Sequence, residues 1–359
     1  MKERGERGIA EILAAIAVQA MVLATVMIEI IGCEKSSDIL RTGTDNHGGP
    51  VQRDSLETKA ESWISLAGVA VGDTADVFVY DDDQLKRLDT YQREVLSSDR
   101  MKVASTSGPK IVAMVINGRT GRYSWTASNT YAYMERLDAE FEKEDIAHPT
   151  LSGTATINGK SGKPCNMDLH PIMSKIVLRS IRCDFSGMAY DGARFTGAKV
   201  YLTNVSTICR MMQDKDFRTR GILNSGMLVM EDLQKISDPA MLYQDLPISI
   251  GKDWIEVNKT LYCYPNTNEE ESPGSPFTRM VIEGQINGHT WYYPININRK
   301  DICWVEGTPG ISRDRVYQYD VTIKRTGTDD PDKPVSLDDI SVICEVVPWD
   351  EKAERYERF

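Results

Sequence analysis

An all-β chain, built as two consecutive antiparallel β-sandwich domains with one or two short peripheral helices, is the fold class that the sequence predicts. Three observations lead there. Apolar runs of strand length recur through both halves. Val, Ile, Thr and the 15 Tyr favour pleated backbone over helix, and Gly and Asn interrupt the runs as tight turns require. The length of 359 residues exceeds the roughly 100–200 of a single domain, so two similar halves are expected. They are placed at 60–208 and 209–359.

Strands are expected at "ADVFVY" (75–80), "KIVAMVI" (110–116), "SKIVLRSIRCDF" (174–185), "AKVYLTNV" (198–205), "RVYQYDVTI" (315–323) and "ISVICEVV" (340–347). Three Asn-Gly pairs, at 117–118, 158–159 and 287–288, carry the positive φ preference of two-residue hairpin turns. The last lies between two apolar stretches, which makes 279–286 and 289–295 antiparallel neighbours. Helices are few. "SNTYAYMERLDAEFEKED" spaces Tyr133, Leu137 and Phe141 at i, i+4 and i+8, a stripe suited to lie on a sheet. "SDPAMLYQDLP" offers Asp238 as N-cap, Pro239 in the first turn and Pro247 as a stop. With strands and turns dominating, layer packing leaves two sheets face to face in each domain.

The amino end is laid out as a signal peptide over 1–32, with Lys2, Arg4 and Arg7 ahead of an apolar run from Ile9 to Gly32. That run is long enough to span a bilayer. Glu11, Gln19 and Glu29 within it disfavour permanent residence in lipid. The string Ile30-Ile31-Gly32-Cys33 resembles the lipobox of bacterial lipoproteins, in which a small residue admits the peptidase and the cysteine thiol takes the lipid. Cleavage there would make Cys33 the first residue of the mature chain, held by several acyl chains at about 0.8 kcal/mol per buried CH2. The competing reading is an uncleaved helix with an incidental cysteine. Residues 33–59 are poor in apolar side chains and contain His-Gly-Gly-Pro, so they read as a tether. Arg41 and Arg53 lie in it, open to a trypsin-like protease.

A net charge of -11 gives no electrostatic reason to bind nucleic acid, and 41% hydrophobic with 26% charged residues is ordinary globular composition. No nucleophile elbow, P-loop, GxGxxG or HExxH is present, so neither an enzyme nor a cofactor is expected. The acidic stretches at 81–83 and 328–339 read as solvated turns ahead of Ca2+ sites, because neither has EF-hand spacing. Four scattered His and the lack of a CxxC give zinc little support, and no metal site is expected. Besides Cys33 there are Cys165, Cys183, Cys209, Cys263, Cys303 and Cys344. Buried free thiols are preferred to disulfides, since Cys183, Cys263 and Cys344 sit inside expected strands, although an exported chain can oxidise them. Trp291, Tyr292 and Tyr293 read as core ahead of a sugar-binding face.

Several strings in order, "ADVFVYDDDQLKRLDTYQ", "LHPIMSKIVLRSI", "AKVYLTNVS", "LYCYPNTNEEESPGSPFTRMVIEGQINGHTWYYPI", "GTDDPDKPVS" and "ISVICEVVPW", resemble the fimbrillin family, the type V pilins, over about residues 60–350. The resemblance implies a fimbrial (pilus) subunit that supports adhesion: an outer-membrane lipoprotein at the cell surface, made of two transthyretin-like β-sandwich domains and assembled by donor strand exchange. In the family's stalk subunits an arginine-specific protease removes the lipidated segment with its first strand, and a neighbour's carboxy-terminal strand fills the groove. Cys33 then matches the lipid site, and Arg41 or Arg53 the protease cut. The early strand would be 63–71, with Trp63, Leu66, Val69 and Val71. The closing strand, with Ile340, Val342, Cys344 and Val346 on one face and Ile343, Val347 and Trp349 on the other, would be internal or donated, since apolar residues on both faces call for burial on both. Anchor and stalk roles both stay open. Implied partners are other fimbrial subunits, membrane lipid through Cys33, and a host or bacterial surface ligand. The alternative of another class is a surface lipoprotein that binds glycans; a hydrolase would need a deep pocket with convergent polar residues.

Overall fold

The computed structural model describes residues 59–118, 123, 125–158, 165–212, 221–305, 307 and 309–349. The expected signal peptide, Cys33, Arg41 and Arg53 lie outside the described residues. In chain order the first strands are β1 (Lys59–Ala67), β2 (Thr74–Asp81), β3 (Leu88–Val95), β4 (Arg100–Thr106), β5 (Pro109–Ile116), β6 (Asp138–Glu140), β7 (Leu151–Asn158), β8 (Cys165–Asp168) and β9 (His170–Pro171). They form one sheet of order β4-β1-β8 and another of order β3-β2-β5-β7-β9. Ile64, Leu66, Val77, Val79, Met101, Val112, Met114 and Met167 share the buried core of this part. The alternate residues Phe78, Tyr80, Ile111, Ala113 and Val115 belong to a second core. β2 and β5 are therefore buried on both faces, which is why they read as unbroken apolar runs.

The remaining strands are β10 (Ser174–Cys183), β11 (Phe195–Thr203), β12 (Val205–Ser206), β13 (Ile208–Arg210), β14 (Ile222–Leu223), β15 (Tyr243–Asp245), β16 (Ser249–Ile250), β17 (Ile255–Cys263), β18 (Arg279–Ile286), β19 (His289–Asn296), β20 (Arg315–Ile323) and β21 (Ile340–Pro348). Their main sheets have the orders β17-β10-β20-β21 and β15-β11-β18-β19, with β16 on β11. Ile176, Leu178, Val200, Leu202, Ile282, Ile295, Tyr319 and Val321 are buried in the core they share with Phe78 and Tyr80. The change of sheets falls between Pro171 and Ser174, not between 208 and 209. β10 pairs antiparallel with β17 and parallel with β20, so residues 174–183, ahead of the expected boundary, are held by strands far downstream. A parallel pairing needs a long crossover, and no local turn signal announces one.

The segment 131–148 packs at the junction. Its helix, α1, runs only over Tyr131–Arg136, capped by the Thr130 hydroxyl accepting from Tyr133 N. The chain then turns into β6, which pairs with β13, and Phe141 is buried in a 3-10 turn over Phe141–Lys143. Tyr133 is 39% exposed, so the expected i, i+4, i+8 stripe does not form; a strand partner takes the backbone groups that a longer helix would have used. Phe141 meets Tyr264 edge-on at 5.2 Å, and Tyr264 Oη donates to the buried Glu144 at 2.8 Å. The second expected helix is a 3-10 turn at Pro239–Met241, with Asp238 accepting from Ala240 N at 2.9 Å as its cap. A further short helix, α2 (Met230–Leu233), carries no apolar period in the sequence long enough to predict it.

Of the Asn-Gly pairs, 287–288 makes the hairpin, with φ of 51° and 80° and Ile286 opposite His289. Asn117 also has positive φ, at 56°, yet it closes no hairpin: its Oδ1 accepts from Thr74 N at 3.2 Å, tying β5 to the start of β2. Asn158 ends β7, whose partners are β5 and β9; Gly159 lies outside the described residues.

The seams of the first sandwich are closed by side chains and by close backbone approach. Gln92 Nε2 donates to Lys102 O at 2.7 Å and Thr90 Oγ1 to Ala104 O at 2.5 Å, which occupies the outer edge of β4. On the other side β7 and β8 approach so closely that a Cβ on Gly153 would lie 2.4 Å from Asp168 O. Gly153→Ala is therefore expected to push β8 off β7 at a cost of about 1–3 kcal/mol. Thermal unfolding would read this as a Tm lower by about 2–4 °C per kcal/mol, and an unchanged Tm would show that the seam yields freely.

Candidate functional site: the first and last strands

A sheet edge presents unpaired N–H and C=O groups, so strands near the chain ends are where one subunit can join another. β1 is not such an edge. It pairs antiparallel with β4 from Lys59–Thr106 to Ser65–Arg100, and parallel with β8 from Ile64–Cys165 to Ala67–Asp168. Ile64 and Leu66 point into the core, while Trp63 is 51% exposed. Glu61 and Lys102 form a cross-strand ion pair on the outer face. Gly68 ends the strand at a φ of +86°, where a Cβ would lie 2.4 Å from Leu169 O. Strand β1 thus spans 59–67 rather than 63–71; Val69 is buried in the following turn and Val71 is 75% exposed.

This placement separates two expectations that had been joined. The turn from β1 to β2 reads Gly68-Val69-Ala70-Val71-Gly72-Asp73, without Lys or Arg. Arg41 and Arg53 precede β1, and the first basic residue after it is Lys86. A cut after Arg41 or Arg53 leaves β1 covalently joined to β2 and hydrogen-bonded on both sides. Ejecting β1 would expose Ile64 and Leu66, each worth about 1.5–3 kcal/mol of burial, together with the groups they cover.

β21 is the edge of its sheet. It pairs with β20 over nine positions, from Arg315–Pro348 to Ile323–Ile340, and no other described strand pairs with it. Ile340 is fully buried; Val342, Cys344 and Val346 are partly buried against the core. On the second apolar face Ile343 is 60% exposed, while Val347 packs against the core and Trp349 is buried, so that face is covered only toward its end. Cys344 is bonded to Cys303, with Cα atoms 6.2 Å apart. This corrects the free-thiol expectation for that pair: a half-buried edge position beside a loop lets two sulfurs meet, which strand membership alone does not reveal. Cys165, Cys183, Cys209 and Cys263 are free, and burial pushes the Cys183 thiol up to about 12. Beyond the strand, Trp349 N donates to Asp314 O at 3.3 Å, and Lys175 Nζ stands 4.2 Å from the Trp349 ring centre. On the outer face Arg179 reaches Gln318, Asp320 and Glu345 across three strands. β21 is thus tied along its length, by the disulfide in its middle and an aromatic clamp at its end.

Of the expected aromatic trio, Tyr293 is buried, while Trp291 packs on His289 with ring centres 4.6 Å apart. Alternation puts Trp291 and Tyr293 on one face of β19, both packed at the core, and Tyr292 on the other, so the three do not build one sugar-binding surface.

Opening the 41-residue span of the Cys303–Cys344 bond removes a chain-entropy stabilisation of about 4 kcal/mol. Cys303→Ser is expected to lower Tm and to speed hydrogen exchange in β21 while leaving β1 protected. Uniform acceleration across both strands would show that the disulfide acts on the whole fold and not on the edge.

No family profile and no curated protein matches the sequence. Solved structures do match in fold. A fimbrilin from Porphyromonas gingivalis W83 superposes with a TM-score of 0.60 at 13% identity, covering 82% of this chain and 99% of that one. A protein from Parabacteroides distasonis ATCC 8503 named for cell adhesion gives 0.60 at 15% identity, with 81% and 99% covered. Another so named, from Bacteroides eggerthii DSM 20697, gives 0.59 at 15%, with 82% and 97% covered. The described chain has the all-β fold of these proteins along nearly their whole length.

Proposed function

We propose that the chain is a fimbrial subunit of the cell surface, lipidated at Cys33, held in the outer membrane, and joined to neighbouring subunits by β-strand addition. Within that role it acts as an anchor rather than a stalk. The fold shared with fimbrilin supports the class. One observation carries the anchor assignment: β1 is paired on both sides and followed by a turn without Lys or Arg. A stalk must vacate its first-strand groove, whereas an anchor keeps that strand and its lipid. Backbone hydrogen bonds to an added strand would supply affinity, and alternate side chains the register.

Trypsin treatment of the folded mature chain is expected to trim the tether and leave an amino terminus at or before Lys59, with no polymer formed. A product beginning beyond Asp73, or filaments on trimming, would restore the stalk role. Radiolabelled palmitate fed to cells is expected to enter the wild-type chain and not Cys33→Ala. Label retained by the variant would defeat the lipid anchor.

A further inference from the structure

Where the ends of β7 and β8 approach the start of β20, a cavity of about 660 Å³ opens between the two halves of the described chain. Arg313 lies on its wall. The guanidinium Nη2 donates to Ser152 Oγ at 2.9 Å and to Met211 O at 3.5 Å, and Nε to Pro171 O at 3.5 Å. All three acceptors are neutral. Burial pushes the pKa of this group down from its ordinary value, and the nearby Asp314 and Glu144 carboxylates offset only part of the lost hydration. Arg315, at the mouth, donates only to the Asp314 carbonyl. The Asp314 carboxylate is engaged by His170 Nδ1 at 2.7 Å. Two guanidinium groups thus line one cavity without an ion pair among the described residues.

The rest of the wall carries hydroxyl-matching groups. Asn166 and Asp168 are the exposed alternate residues of β8, on the face opposite buried Met167, and both line the cavity with Thr154 and Tyr131. Tyr131 offers an aromatic surface, with Lys86 Nζ 5.3 Å from its ring centre. We infer that this cavity binds an acidic saccharide of the uronic-acid class, with its carboxylate on Arg313, its hydroxyls on Asn166, Asp168 and Thr154, and its ring against Tyr131. The guanidinium selects the carboxylate through charge-assisted hydrogen bonds from Nη1, whose donors no described residue takes. Asp168 selects a sugar over an acidic peptide, because a carboxylate accepts from the hydroxyl donors that a sugar ring carries. The volume lies within the about 300–1,000 Å³ of small-molecule sites.

Titration calorimetry of the mature chain with trigalacturonate, with neutral galactotriose and with triglutamate decides the matter. Saturable binding of trigalacturonate is expected, at least about tenfold tighter than either comparison, which corresponds to about 1.4 kcal/mol. Arg313→Lys is expected to weaken it by about tenfold or more. Since Arg313 also ties the two halves together, Asn166→Ala provides an independent variant at an exposed strand position and is expected to weaken binding several-fold with Tm unchanged. Absence of binding, equal affinity for galactotriose or triglutamate, or affinity unaltered in both variants would overturn the assignment. None of these outcomes bears on Cys33 or on β1, so the inference and the anchor role stand or fall separately.

Discussion

The burial of β2 and β5 on both faces is the constraint around which the described chain is arranged. Val77, Val79, Val112 and Met114 look into one core, and Phe78, Tyr80, Ile111 and Ala113 into the other. A strand covered on both sides needs a layer on each. One layer is the β4-β1-β8 sheet. The other comes from Trp125, Met134 and Phe141, which lead into the second sandwich. Phe78 meets Trp125 edge-on at 5.2 Å, and Phe141 meets Tyr264 likewise. The two halves therefore share apolar packing across the junction, and the Glu144 carboxylate caught there is partnered. Glu144 accepts from Tyr264 Oη and from Thr150 N, consistent with the cost of leaving a buried carboxylate without donors.

From that arrangement follows the condition of the strands nearest the chain ends. β1 covers one face of the doubly buried sheet, so it has both a packing role and two hydrogen-bonded neighbours. β21 covers only the margin of the second core and has one neighbour. The disulfide to Cys303 falls on this weaker strand, where loop closure adds most to holding an element that packing holds least. An edge that is covalently fixed and, among the described strands, paired on one side only can receive a strand without itself unravelling. That combination differs from a subunit that sheds its first strand to be filled by the next.

The junction also gathers the polar residues that nothing in the core needs. Ser152, Asn166 and Asp168 come from the strands of the first sandwich, and Arg313, Asp314 and Arg315 from the approach to β20. Hydrogen bonds from Arg313 to Ser152 and to the Pro171 carbonyl connect the two halves. The Asp314 and Glu144 carboxylates nearby offset only part of what that charge loses by leaving water.

The alternating and unbroken apolar runs were enough to place β2, β5, β10, β11, β18, β19, β20 and β21 within a few residues, and Asn287-Gly288 to set one hairpin register, because these depend on neighbours in the chain. Asp238 was legible as a cap for the same reason. The helix through Phe141 was not, since β13, some 70 residues later, takes residues 138–140 as a strand partner. Likewise the change of sheets between Pro171 and Ser174 follows from β10 pairing with β17 and β20. Leu66 was recognisable as an apolar residue of an early strand, but strand limits, double-sided pairing and the position of β1 after both linker arginines emerge only on folding. The Cys303–Cys344 bond and the Arg313 cavity join residues 41 and up to about 180 positions apart. Local preference determines which segments extend and where they turn; long-range pairing, whose free energy is realised only when distant strands meet, decides which edges remain and which side chains share a site.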